Sequence, residues 1–267
     1  MYGLPATGVP WVGNPPDNTT PGRCWNIITG CLRRCEWCYA HNLAKGRLRR
    51  LYLDDSWGES IMIPAPNHTP ADYTQCPRED PFWPRLWPDR LYAPAHRKKS
   101  SGIFVCNMGE LFGPWVPSEM IEGVLDVVRS CPQHRFYFLT KYPERLPEFN
   151  PWPENAWIGA TATDRQTALH AMSCLSYVEA LVKYLSLEPL LESIATVMAV
   201  YGTDGISWVI TGPLNGKLAR QHPCNPRWLD EVAVVCVAGG VSLYEKPECA
   251  RILDRSLIQE WPRKDAR

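Results

Sequence analysis

Three cysteines stand close together in Cys31-Leu32-Arg33-Arg34-Cys35-Glu36-Trp37-Cys38-Tyr39, with three and then two residues between them. Thiolates at this spacing hold metal, and three ligands leave one coordination position open. In a cluster of four irons and four sulfurs, one iron is then free to take another ligand. Open positions accompany chemistry and closed ones accompany structure, as zinc sites also show. The same triplet with a distant fourth ligand such as His41 would make a zinc site instead.

The elements around this motif suggest how it is held. A β-prone run at 25–28 leads through Thr29-Gly30 to Cys31, so the cysteines are expected in a loop after a strand. Residues 40–51 then read as a helix with a weak point at Gly46. Further short apolar runs at 103–106, 136–139, 157–160, 184–187, 208–210 and 241–244 read as strands. Between them, 118–129 is an amphipathic helix with Ile121, Val124, Leu125 and Val128 on one face. Asp164 can cap a helix over 165–175. Asn225-Pro226 is a cap followed by proline at the first helical position, and that helix runs to about Ala238, where Gly239-Gly240 ends it. Strands that are apolar throughout belong in a parallel sheet covered on both faces. Six or seven strand–helix units predict an α/β fold, a full or partial (β/α)6-type TIM-like barrel. Active sites in such barrels lie at the C-terminal strand ends. Here those ends carry the three cysteines, Glu110, Lys141, Thr161 with Asp164, Glu188 and Thr211.

A chain of 267 residues suits one barrel domain over 1–267. It would comprise an extended lead-in at 1–23, an irregular insertion at 52–100 and a C-terminal extension at 247–267. The insertion is broken by many prolines, carries Trp57, Trp83 and Trp87, and is expected to cover one face of the barrel. With 28 basic and 28 acidic residues there is no global field to attract nucleic acid. The local run Arg97-Lys98-Lys99 reads as solvated charge. Eleven cysteines at irregular spacing argue against a disulfide scaffold and for a reducing cytoplasm, where thiolates stay available to iron. The pattern at 1–10 is not that of a signal peptide, and no stretch is apolar enough to span a bilayer. Cys106, Cys131, Cys174 and Cys236 lie in apolar patterns and are expected as small core residues. Cys224 and Cys249 lack the close pairing of a second cluster.

The Cys31, Cys35, Cys38 spacing, with an aromatic residue before the third cysteine, resembles the signature of the radical S-adenosylmethionine (SAM) superfamily. A longer resemblance, to a phage-associated radical-SAM-like family of unassigned function, covers most of the chain. It is carried by 25–31, Cys38-Tyr39-Ala40, 104–112, Pro132-Gln133-His134, 139–145, 185–190 and 253–262. The superfamily's Gly-Gly-Glu is here Met108-Gly109-Glu110, where this family more often has Asp. Its Gly-Gly-Glu-Ser-Gly is replaced by Thr211-Gly212-Pro213-Leu214-Asn215-Gly216, and its late aromatic-Lys-Gln segment is reduced to Tyr244-Glu245-Lys246. The last two departures fall where substrate is expected.

The resemblance implies a [4Fe-4S] cluster on Cys31, Cys35 and Cys38, with SAM chelated by the open iron and cleaved to a 5′-deoxyadenosyl radical that abstracts hydrogen from substrate. It implies cofactor contacts from Trp37, Tyr39, Asn107, Gly109, Glu110, Thr161, Thr163, Asp164 and Thr211, with Glu110 on the methionyl ammonium. Lys141 and Glu188 would reach SAM or substrate. The partners implied are SAM, a nucleic acid or nucleotide substrate and an external electron donor, in a cytoplasm that is the host's if the chain is phage-encoded. The first function this suggests is hydrogen abstraction from a nucleobase or modified thymidine, as in phage DNA hypermodification by isomerisation or C–C bond formation. A related one is a repair enzyme resembling spore photoproduct lyase, whose loop also runs Cys-x-x-x-Cys-x-x-Cys-Tyr and which needs a hydrogen-donating cysteine, here Cys174 or Cys224. Other classes are a radical SAM enzyme on a peptide or small metabolite, and a non-catalytic metal- or DNA-binding protein. Each residue also has a plain structural role open to it: Asp164 as an N-cap, Glu110 as a carboxylate near a helix start, Lys141 as a surface charge.

Overall fold

The computed structural model describes residues 3–54, 58–64 and 78–262. The chain divides into two compact units, Met1–Phe138 and Leu139–Arg267. Trp57 and part of the proline-rich insertion lie outside the described residues.

The first unit runs through β1 (Arg23–Trp25), β2 (Ile28–Thr29), α1 (Tyr39–Lys45), α2 (Arg49–Leu53), β3 (Ile61–Met62), β4 (Arg85–Leu86), β5 (Gly102–Val105), α3 (Ser118–Arg129) and β6 (Arg135–Thr140), the end of β6 leading into the second unit. Strands β1, β5 and β6 are parallel neighbours, with Arg23 opposite Ile103 and Ile103 opposite Phe136. Their side chains are almost wholly buried, as a two-sided sheet requires. The β-prone run at 25–28 is not one strand. It splits at Asn26-Ile27, and β2 joins a separate antiparallel sheet in the order β2-β4-β3, with Ile28 opposite Leu86 and Ile61 opposite Leu86. The expected helix at 40–51 breaks at Gly46, and α3 has the predicted bounds and buried face.

The lead-in packs rather than trails. Ala6 bridges Arg23 and Gly13 bridges Pro21. Trp11 is buried against Phe104 at a centroid distance of 5.0 Å, and Gly102 donates its N–H to Asn14 Oδ1 at 2.9 Å.

The second unit alternates β7 (Ala156–Thr161), α4 (Arg165–Ser176), β8 (Val182–Leu187), α5 (Ala195–Tyr201), β9 (Trp208–Thr211), α6 (Pro226–Ala238) and β10 (Ser242–Glu245). The four strands are parallel and adjacent in chain order, each joined to the next by a helix, as parallel pairing demands. Asp164 and Asn225 cap α4 and α6 as expected, while α5 has no side-chain cap and carries four β-branched or aromatic residues, which hides it from pattern reading. Both units are thus mostly parallel α/β. Among the described residues no helix is long and apolar enough to cross a membrane.

Candidate metal and cofactor site

In the first unit the cysteine loop begins where two backbone segments are bonded together. Gly30 and Gly109 form a parallel bridge: Gly30 N–H donates to Met108 O at 2.9 Å and Glu110 N–H to Gly30 O at 3.2 Å. This puts Glu110 beside the residue preceding Cys31. Gly30 has φ +85°, and a Cβ there would lie 2.5 Å from Trp83 O, so only glycine fits both the turn and the close approach. Cys31 N–H donates to Phe82 O at 3.1 Å. At the far end, Tyr39 Oη donates to Asn107 O at 2.6 Å, Asn107 Oδ1 accepts from Asn26 Nδ2 at 2.9 Å, and Asn26 Oδ1 accepts from Met108 N–H. Both ends of the loop are therefore tied to 107–110.

The described insertion residues hold this loop from behind. Trp87, fully buried, donates from Nε1 to Thr29 Oγ1 at 2.9 Å and from its backbone to Ile27 O at 2.9 Å. Arg90 stacks over the Trp87 ring at 4.0 Å and donates to Asn26 O at 3.1 Å. Cys31 and Cys38 pack on a small core that includes Ala40, Ala44, Phe82, Trp87 and Met108. Within the first unit these residues brace the cysteine loop. An ion pair between Arg34 and Asp80 adds to the brace.

Among the described residues all ten cysteines are free, and no three His, Cys, Asp or Glu side chains gather closely enough to share one ion. A cubane asks for less than a shared ion, since each thiolate binds its own iron. Several features suit it. Arg33 N–H points at Cys31 Sγ and His41 N–H at Cys38 Sγ, both at 3.4 Å, the polarity that stabilises thiolate sulfur. Trp37 Nε1 and His41 Nε2 are buried at the loop without a hydrogen-bond partner, which a protein tolerates where something else is bound. Burial, then the neighbouring Glu110 carboxylate, pushes the Cys31 thiol up to about 12. Metal binding must expel that proton. The three thiols suit a three-cysteine cluster, and His41, packed edge-on against Phe82 at 5.2 Å with burial holding its imidazole below its usual range, keeps its Nε2 unpartnered beside them. Glu110 itself is buried, with Oε1 accepting from Phe112 N–H at 3.1 Å.

In the second unit the register fixes which strand-end residues share a face. Thr161 lies opposite Ser186, Ser186 opposite Ile210, and Ile210 opposite Tyr244. Residues in register on parallel strands point the same way, so this layer and the residues two places on, Glu188, Gly212 and Lys246, form one polar rim. Lys246 Nζ pairs with Glu188 Oε1 at 2.5 Å, and Ser186 Oγ reaches Glu188 Oε2 at 3.4 Å. Burial works against the Lys246 ammonium, but Glu188, and then Glu248, outweigh it and hold the group above its usual range. Thr211 lies opposite Glu245 and so on the other face, where Glu245 is fully buried and bonded twice by Arg255, at 2.9 and 2.6 Å. The Thr211 hydroxyl is buried without a partner.

The remaining candidates fall as follows. Asp164 closes a capping box: its Oδ1 accepts from Thr167 N–H at 2.8 Å while Thr167 Oγ1 accepts from Asp164 N–H at 3.1 Å. Thr163, buried, donates to Asp164 Oδ2 at 3.2 Å. Lys141 follows β6 and is half-buried. Cys106, Cys131 and Cys236 are core residues as expected, but Cys174 is not. It sits half-exposed on α4, 3.8 Å from His170 Nδ1, and His170 Nε2 is 3.0 Å from Glu144. Positions 170 and 174 lie one turn apart, off the buried stripe of Ala168, Ala171, Met172 and Leu175. The sequence pointed to Glu188 by its strand end alone. Its partner Lys246 was visible only as the remnant of a motif, and Glu248 not at all.

No curated protein matches this chain. Among solved structures it is similar in fold to spore photoproduct lyase complexed with dinucleoside spore photoproduct, with 9% sequence identity, a TM-score of 0.53, and coverage of 84% of this chain and 75% of that one. A point mutant of spore photoproduct lyase matches with the same identity and coverage and a TM-score of 0.50. The family model described as "Protein of unknown function (DUF5131)" matches residues 19–250, and the chain belongs to that family.

Proposed function

We propose that the chain is a radical SAM enzyme in which Cys31, Cys35 and Cys38 hold a [4Fe-4S] cluster. One observation carries this reading: three free cysteines sit on a loop whose entry is bonded, through Gly30, to the turn bearing the buried Glu110. When bound there, the cluster with SAM would supply reductive sulfonium cleavage and hydrogen abstraction from substrate. The chain's residues bind and orient. Glu110 accepts a charge-assisted hydrogen bond from the methionyl ammonium, strengthened by exclusion of water. Trp37 offers its unpartnered indole N–H to the adenine, and Tyr39 with Asn107 and Gly109 fixes the loop against the turn. Thr161 and Thr163 serve the ribose or carboxylate, with Asp164 holding them through the start of α4. Thr211 supports its strand end, and Lys141 and Glu188 serve substrate.

The substrate in this reading is a nucleobase or modified thymidine. Support comes from the fold likeness to a lyase solved with a dinucleoside. The same likeness favours a second reading, a DNA-repair lyase. Its requirement for a hydrogen-donating cysteine falls on Cys174, half-exposed on α4, or on Cys224, half-exposed just before α6. The place of the chain in a phage and in its host's cytoplasm belongs to this proposal too. Anaerobic incubation with SAM, a reductant and deuterated deoxynucleosides or DNA tests it by mass spectrometry. Deuterium in 5′-deoxyadenosine supports the reading, and SAM left uncleaved under every substrate contradicts it.

A further inference from the structure

The rim of the second unit contains an arrangement that the cluster chemistry does not use. Lys246 and Glu188 cross in front of β9, with side chains about one-fifth exposed (18% and 20%). Gly212 leaves room for the crossing: a Cβ there would stand 3.0 Å from Lys246 Cδ and 3.4 Å from Glu188 Oε1, close enough to press on the pair. The layer beneath is rigid: Tyr184 and Trp208 are fully buried with centroids 5.6 Å apart, and Trp208 meets Tyr244 at 6.3 Å. The pair is thus held on a firm floor with one side toward solvent.

Its chemistry is specific. An ammonium has three N–H donors, and Lys246 uses one on Glu188. Glu188 keeps lone pairs beyond those facing Lys246 and Ser186. A donor and an acceptor therefore stand side by side at the rim. Glu248 adds a second carboxylate near Lys246, with Oε2 buried and unpartnered. Two carboxylates to one ammonium leave the group acceptor-rich, which selects a ligand that brings an N–H. A neighbouring C=O and N–H on one ring edge completes that pattern, and a thymine- or uracil-type imide carries it. A carboxylate or phosphate ligand would meet repulsion from two anions.

We propose that Glu188 and Lys246, aided by Glu248, read the imide edge of a pyrimidine substrate, Lys246 donating to a ring carbonyl and Glu188 accepting the ring N–H. This rests on the radical SAM reading and goes further by naming the recognised edge. The test uses cluster-loaded protein, held anaerobically with saturating SAM, titrated with thymidine and with N3-methylthymidine, whose ring N–H is blocked. Wild type should bind thymidine about tenfold or more tightly than the methylated base, the loss expected for a hydrogen bond to a charged group. Glu188→Ala should bring that ratio close to one, and Lys246→Met should weaken both nucleosides, with melting curves checking that each variant folds. Equal binding of the two nucleosides by wild type, binding of neither, or a ratio unchanged in folded Glu188→Ala would overturn the proposal. If wild type binds SAM in that titration while failing to discriminate, this inference alone is lost. If it binds no SAM, the enzymatic reading is lost with it.

Discussion

In the first unit the cysteine loop is held by main chain. Gly30, Cys31, Met108 and Glu110 are joined by backbone hydrogen bonds, and the indole of Trp87 props the strand that leads in. In the second unit the rim is held by side chains, with the strands setting only the direction in which Glu188 and Lys246 point. The contrast suggests a division of labour. A loop that is to hold a cluster must keep three sulfurs in register, and backbone bonds backed by a buried indole would do this whatever the loop's exposed side chains are. A rim that is to recognise a ligand could be altered one residue at a time without disturbing the sheet beneath it. The two regions should therefore fail differently: the first through its brace, all at once, the second gradually.

The largest effect is expected from Trp87→Ala. It removes a fully buried indole and its bond to Thr29, and should cost about 3–5 kcal/mol in stability. Iron uptake should fall with it, because Thr29 and Gly30 lead directly into Cys31. Urea unfolding alongside iron analysis checks this. Full iron loading in a destabilised Trp87→Ala protein would break the link between brace and loop.

A smaller effect, about 1 kcal/mol within a range of 0.5–2, is expected from Asp164→Ala, which deletes the cap of α4. The comparison sharpens here. A cap alone lowers the melting temperature and leaves the SAM dissociation constant unchanged, whereas a direct cofactor contact would raise that constant as well. Equilibrium dialysis of the folded variant separates the two.

The smallest effect concerns pH. His134 is buried in the first unit, with Nε2 3.1 Å from Pro94 O and Nδ1 without a partner. Burial, and less strongly the Arg97 guanidinium, hold its imidazole below its ordinary value of about 6.5. The unfolded chain then binds the proton more readily than the folded one. The stability His134 contributes is present above about pH 6.5 and is lost as pH falls below it. Chemical unfolding at pH 7.5 and 5.5 should show the loss, and His134→Gln should reduce the difference between the two. An equal difference in the variant would remove His134 as its source.

Much of the second unit was legible because its evidence is local. Strand runs at 157–160, 184–187 and 208–210 differ from the observed strands by no more than two residues at either end, and the caps at Asp164 and Asn225 are short-range chemistry. What escaped was set by distant contacts. The run at 25–28 splits because Asn26 turns to bond Asn107 and Met108, residues far along the chain. The two-residue strands β3 and β4 exist by pairing around β2, and no periodicity betrays so short a strand among prolines. The three cysteines were plain from spacing, and Glu110 was marked by its place after a strand and by the family resemblance. The bridge from Gly30 to Gly109 that brings them together was not, since nothing local marks which turn a glycine will meet. Cys174 misled because an apolar sequence context does not say which side of a helix a residue takes.

The central claim is that Cys31, Cys35 and Cys38 together hold one cubane, and metal content tests it most directly. Protein purified and reconstituted without oxygen should be brown and carry about four irons per chain. Its reduced form should show an electron paramagnetic resonance signal that changes when SAM is added, and Cys35→Ala should lose the iron while melting close to wild type. Colourless protein with a single zinc, or iron retained in full by Cys35→Ala, would contradict the account.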